Sequence, residues 1–198
     1  GGLVQASDGL LYGTTKFGQA AQVDGAGSIF KIAEAGTGFQ IIHRFAPVTA
    51  SNQDLNPINT NGAYPEAELV EGADGYLYGV ARAGGPNGTG TIFKISRDGT
   101  DFKLLHSFAA VTSSTTSGLT VTVDGAAPTG PLVASTDNFF YGTTSQGGAN
   151  GRGVVFRIAF DGTGFQVLHE FSATTADTTT GLLENADGAT PLAGLLDG

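Results

Sequence analysis

The 198-residue chain contains no cysteine, no methionine and no tryptophan. Without cysteine there is no disulfide framework, no thiolate nucleophile and no cysteine-held zinc, and sulfur says nothing about the redox compartment. Positive charge is scarce as well: 9 Lys and Arg against 18 Asp and Glu give a formal charge of -9, and the basic residues are scattered singly. That leaves no electrostatic footprint for nucleic acid or an anionic membrane surface, and neither is expected as a partner. No stretch reads as a membrane span, a signal peptide or a C-terminal anchor, so membrane insertion is not expected. With no methionine, Gly1 is not an initiator, and the chain is expected to be processed or cut from something longer. Amphipathic helices are missing too. The 32 glycines and only 14% charged residues suit short strands joined by tight turns.

What the chain does contain is a repeat. Its fullest copy covers residues 75–108: a Tyr-Gly pair, a Gly-rich loop, the run Ile92-Phe93-Lys94-Ile95, then Leu104-Leu105-His106-Ser107-Phe108. Phe30, Phe93 and Phe156 are 63 residues apart, as are His43, His106 and His169, and Pro65, Pro128 and Pro191. A register kept to the residue marks a structural unit. Tyr12 to Tyr78 spans 66 because the loop over 16–27 is three residues longer than its counterpart over 82–90, and insertions belong in loops.

Each copy reads as four strands. A short first strand at Leu3-Val4, Leu69-Val70 or Leu132-Val133 is followed by Asp8-Gly9, Asp74-Gly75 or Asp137-Asn138, residues that tolerate the positive φ of a two-residue hairpin. The second strand carries Tyr12, Tyr78 or Tyr141, and the third carries Phe30, Phe93 or Phe156. The fourth follows a turn such as Asp98-Gly99. Period-2 alternation puts Phe102, Leu104, His106 and Phe108 on one face of that last strand, with Leu105 adding an apolar residue to the other, which predicts sheets covered on both sides. Thr/Ser-rich connectors follow, with an extra strand expected over 119–123. The chain is therefore expected to be all-β, with three tandem four-stranded antiparallel repeats over about 3–68, 69–131 and 132–194, and with 195–198 beginning a fourth.

The recurring order of Asp-Gly-x-Leu-Tyr-Gly-Thr-Thr, a Gly-Gly loop, Gly-x-Val/Ile-Phe-Lys/Arg-Ile, Leu-His-x-Phe and Asp-Gly-Ala-x-Pro resembles the GloVer tandem repeat family of secreted bacterial proteins. The resemblance implies β-propeller-like blades and an extracellular or cell-surface location, and it brings no established activity. Three four-stranded repeats also describe a β-trefoil, which stays open as an alternative.

Candidate chemistry is diluted by the repetition. Three histidines could gather round zinc, but each sits between Leu or Ile and Phe on an apolar strand, where a neutral ring packs and satisfies a backbone group; no metal and no cofactor are expected. The Asp-Gly pairs, among them Asp24-Gly25 and Asp74-Gly75, lack the dense acidic spacing of a calcium loop and read as turns. Lys31, Lys94 and Arg157 read as cross-strand partners or a solvated rim. Tyr12, Tyr78 and Tyr141 could stack on sugars and are weak candidates for ligand binding. An enzyme needs one asymmetric cluster. Glu66, Glu68 and Glu71 are peculiar to one copy, but no base or nucleophile is spaced to join them, and the chain is expected not to be an enzyme.

The ends carry the strongest functional signal. Gly194-Leu195-Leu196 repeats Glu68-Leu69-Val70, while Gly2-Leu3-Val4 already supplies that strand to the first copy. One strand is surplus, so Pro191, Leu192, Leu195 and Leu196 at one end and Leu3 and Val4 at the other are the expected assembly residues. The expected function is an extracellular structural protein that builds a surface array or filament by β-strand addition, with copies of itself, head to tail, or further repeats of a longer chain as partners. A glycan-binding or adhesive module is the second reading, and a propeller hydrolase or lyase the third.

Overall fold

A computed structural model describes residues 1–18, 25–49, 57–114, 118–176 and 178–196. Strands β1 (Leu3–Gln5), β2 (Leu11–Thr15), β3 (Ser28–Ile32) and β4 (Gln40–Arg44) form one four-stranded antiparallel meander, and β5 (Val70–Glu71), β6 (Leu77–Ala81), β7 (Thr91–Ile95) and β8 (Phe102–Ser107) form a second. After β9 (Ser113–Ser114) and β10 (Thr120–Ala126) comes a third, from β11 (Val133–Ala134), β12 (Phe139–Thr144), β14 (Val154–Ala159) and β15 (Gln166–Glu170). Strand β13 (Gln146–Gly148) pairs with β10, and β16 (Thr175–Ala176) pairs with β17 (Leu183–Glu184). No helix occurs among the described residues. These are propeller-like blades. The three sheets share no strand, unlike the common barrel of a trefoil, so the trefoil alternative is set aside.

The hairpins differ from expectation by one residue. Ala6 N–H donates to the Leu10 carbonyl and Gly9 N–H to the Ala6 carbonyl, with Gly9 at φ 79°. This is a three-residue loop with its last residue left-handed, not a two-residue turn. The Tyr-Gly pair has a packing cause. A Cβ on Gly13, Gly79 or Gly142 would stand 2.7, 2.6 or 2.5 Å from the ring of Phe30, Phe93 or Phe156 on the neighbouring strand. The missing side chain is the notch into which that Phe lies.

A β-bulge overturns the predicted alternation of the fourth strand. Ile92 pairs with His106 and Phe93 with Leu104, so Leu105 is an extra residue; the other copies bulge at the same place, between Ile29/Phe30 and between Val155/Phe156. Two residues now oppose one, and the phase reverses across the bulge. Phe102 and His106 therefore point to opposite faces. His43 of the first sheet stacks on Phe102, while His106 stacks on Phe165 of the third.

The core accordingly lies between sheets. One cluster joins Tyr12, Ile29 and Phe45 of the first sheet to Leu69, Phe93 and Ile95 of the second. The other joins Tyr78, Ile92 and Phe108 to Leu132, Phe140 and Phe156. The middle sheet is covered on both faces, as the apolar pattern predicted.

Candidate functional site

Each junction is assembled from the same positions. On the leading sheet, Tyr12 and Tyr78 are fully buried. Their hydroxyls donate to Asp8 and Asp74 across their own hairpins, and to the carbonyls of Arg97 and Phe160 on the following sheet. Burial, then the hydrogen bond to the adjacent carboxylate, raises both phenol pKa values well above the ordinary range. These two rings are closed to a sugar; Tyr141, with Asp137 as its hydroxyl partner, alone keeps a partly exposed ring.

His43 and His106 sit at the junctions, and His169 takes the same position on the outer face of the third sheet. His43 stacks on Phe102 with ring centroids 4.1 Å apart, and His106 on Phe165 at 3.9 Å. Their polar partner is a side chain from the end of the connector, not a backbone group. His106 Nε2 lies 2.9 Å from Asp124 and His169 Nε2 2.8 Å from Asp187, while His43 Nε2 lies 3.2 Å from the Asn61 amide nitrogen. The Asx oxygen also accepts from the N–H of Ala46, Ala109 or Ser172 and so ties down the start of the connector. A carboxylate only accepts, so His106 and His169 carry hydrogen on Nε2; an amide NH2 only donates, so His43 offers a lone pair there. Burial lowers the His43 pKa to about 4. The 18-residue interval from His43 to Asn61, His106 to Asp124 and His169 to Asp187 was readable in the sequence and was missed.

The first junction adds a polar clasp. Glu71 accepts from the Ser7 backbone and hydroxyl at 2.7 and 2.9 Å and pairs with Arg97 at 3.3 Å. Glu66 pairs with Lys16, so Glu66 and Glu71 have separate partners, and the Glu68 carboxylate lies beside Gly2. Lys94 lies over the Tyr76 ring at 4.5 Å and 3.6 Å from Asp74, and Arg157 over Phe139 at 4.6 Å, which makes both cross-strand partners. Asp24 and Asp54 lie outside the described residues; among those described, no three His, Asp or Glu side chains come together as a metal site. An apolar cleft of about 580 Å³ beside the first junction is lined by Pro47, Ile58, Asn59, Pro86 and Leu104. It gathers no titratable group.

The two outer faces carry the same chemistry, and among the described residues no further sheet packs on them. Leu3 is 51% exposed where its equivalents Leu69 and Leu132 are 3% and 4%. Val4 packs against the first cluster. At the other end, Thr143 Oγ1 donates to the Ala193 carbonyl as Thr14 donates to that of Ala67, and Pro191 seats against Gly153 as Pro65 does against Gly27. Residues 191–193 thus lie on the third sheet as 65–67 lie on the first. Leu192 is exposed, Leu195 half-buried and Leu196 97% exposed.

Comparison with known proteins agrees with this architecture. The Gloeobacter/Verrucomicrobia repeat matches residues 1–195. No curated protein matches. A chain in the crystal structure of a nidogen/laminin complex is similar over 95% of this chain and 56% of its own, at 18% identity and a TM-score of 0.50. A protein of unknown function from Dyadobacter fermentans DSM 18053 matches 83% of this chain and 48% of its own (11% identity, TM-score 0.45). A putative 6-phosphogluconolactonase from Bacteroides fragilis NCTC 9343 matches 89% and 41% (16% identity, TM-score 0.43). The chain thus spans about half the length of these structures or less, and at such identities the likeness is one of fold.

Proposed function

Because the chain belongs to the Gloeobacter/Verrucomicrobia repeat family, we propose that it is an extracellular structural repeat protein, not an enzyme, which builds a surface array by adding copies of the repeat. The observation that carries this reading is the disposition of residues 191–196. They follow the path of the segment that leads into β5, and they deliver Leu195 and Leu196 at the register of Leu3 and Val4, with no strand paired to them among the described residues. An apolar segment held in this way can add as a strand to the edge of a neighbouring β2, in the place of the three-residue β1. A structural role is further supported by how the Tyr, His and Asp side chains are used: each serves the same contact in successive copies.

Removing residues 190–198 and imaging the product in negative stain tests the proposal. Assemblies from the intact chain and single particles from the truncated one are expected; assemblies from both would overturn it. The glycan-binding reading now rests on Tyr141 alone. Glycan-array binding that vanishes in Tyr141→Ala would favour it.

A further inference from the structure

Resting on the structural role just proposed, we propose that a second copy of this chain docks face-on, its first sheet against the third sheet of the copy before it, and so reproduces the two internal junctions. Each internal contact has one half on each outer face. His43 and His106 stack on Phe102 and Phe165; the corresponding open halves are His169, its side chain 48% exposed, and Phe39, 59% exposed. A Cβ on Gly99 would fall 2.1 Å from the Ile42 carbonyl oxygen and one on Gly162 3.1 Å from the Leu105 side chain, so both hairpins tuck under the preceding sheet. Gly36, at the same position of the first sheet, has nothing within 4 Å, and Leu168, the residue that would receive it, is 45% exposed. Tyr12 and Tyr78 reach the carbonyls of Arg97 and Phe160; Tyr141 is free to reach the equivalent carbonyl, that of Glu34.

Charge selects a copy of this chain over an unrelated apolar partner. At the first junction Lys31 Nζ donates to the Arg97 carbonyl at 3.4 Å, which brings positions 31 and 97 together across the interface. Their equivalents on the outer faces are Arg157 and Glu34, of opposite sign. Glu34 is exposed and, among the described residues, accepts from Gln5 Nε2 on its own sheet. Arg157 rests on Phe139 and Gln166 with its guanidinium at the open face. Apolar rings at the centre with a charged pair beside them is the pattern of a specific interface.

The test uses the full chain in sedimentation velocity across a concentration series. The wild type is expected to associate. Glu34→Arg sets two cations against each other at every contact, with Gln5 in the place of the Glu71 that neutralises Arg97 beside Lys31 at the first junction, and is expected to raise the dissociation constant at least about tenfold, the size of a single interface contact. Arg157→Glu sets two carboxylates together and does the same, and Glu34→Arg/Arg157→Glu in one chain restores association, a rescue that misfolding cannot produce. Association untouched by either single swap, or a double swap no better than the singles, overturns face-on docking. If swaps do nothing while loss of residues 190–198 abolishes assembly, strand addition stands and this inference fails. A wild type that stays monomeric throughout overturns both.

Discussion

Substituting Asn61 by Asp converts the first connector clamp into the form found in the other two copies, and its effect on stability has a definite sign. In the wild type burial disfavours the His43 imidazolium, so the folded pKa falls to about 4 from an unfolded value of 6.5; the Asn61 amide donates to His43 Nε2, where a proton would set donor against donor. Between those values the unfolded chain holds one proton more than the folded one. The contribution of His43 is therefore complete above pH 6.5 and is lost as pH falls towards 4, for a total of about 3 kcal/mol at about 1.4 kcal/mol per pH unit. In Asn61→Asp the carboxylate keeps the hydrogen bond from Ala46 and offers the His43 ring an acceptor at Nε2, the arrangement His106 has with Asp124. The His43 pKa should rise and the acid loss from this site should shrink by most of that amount, with little change at pH 7.5. Urea unfolding at half-unit steps from pH 4.5 to 7.5 measures the slopes, and the imidazole proton shift of His43 in NMR reports its titration directly. If wild-type His43 titrates near 6.5, or if the two proteins lose stability in parallel, the clamp does not work as described.

Other perturbations separate the junctions from the open faces. Gly99→Ala combines a left-handed φ of 81° with a Cβ driven into the Ile42 carbonyl and should destabilise by roughly 2–4 kcal/mol, whereas Gly36→Ala, at φ 77° with open space, should cost about 1 kcal/mol; chemical denaturation of the two side by side decides, and equal losses would contradict the tuck of the second hairpin. Tyr78→Phe removes hydroxyl bonds of 2.7 and 3.2 Å to Asp74 and Phe160 and should lose about 1–2 kcal/mol, against a few tenths for Tyr141→Phe, by thermal unfolding of dilute protein. Phe102→Ala empties the slot between His43, Phe45 and Phe93 and should cost about 3 kcal/mol, while Phe39→Ala, without a preceding sheet, should leave monomer stability nearly unchanged.

Strand existence and order were legible because the repeat supplied three independent readings of each pattern. The second and third strands of each sheet carry the Tyr and the Phe expected of them, and the strand expected over 119–123 is present as β10. The bulge was not legible. Simple alternation put Phe102 and His106 together, and nothing in Leu104-Leu105 announces that both oppose Phe93. The identity of the Tyr-Gly pair as a notch for a ring needs the neighbouring strand's position, which a linear pattern does not carry. The His-to-Asx interval was in plain view but is a long-range pairing, closed only when the connector folds back. Nor could exposure be read from repeated residues. Tyr12 and Tyr141 occupy equivalent positions, and the following sheet alone buries one and not the other.

Because the chain has no cysteine, a pair of introduced thiols tests face-on docking most directly. The Cβ position of Gly162 lies 3.3 Å from the Leu105 Cβ at the second junction, near the separation of about 3.5–4.5 Å that a disulfide spans. Leu105→Cys with Gly162→Cys should therefore close within one chain and serves as the control. The equivalent outer pair, Leu168→Cys with Gly36→Cys, should on mild oxidation link separate chains through a bond between residue 168 of one and residue 36 of the next, found by mass spectrometry. Efficient closure of the control together with an outer pair that stays unlinked, at concentrations where the wild type associates, would contradict the account.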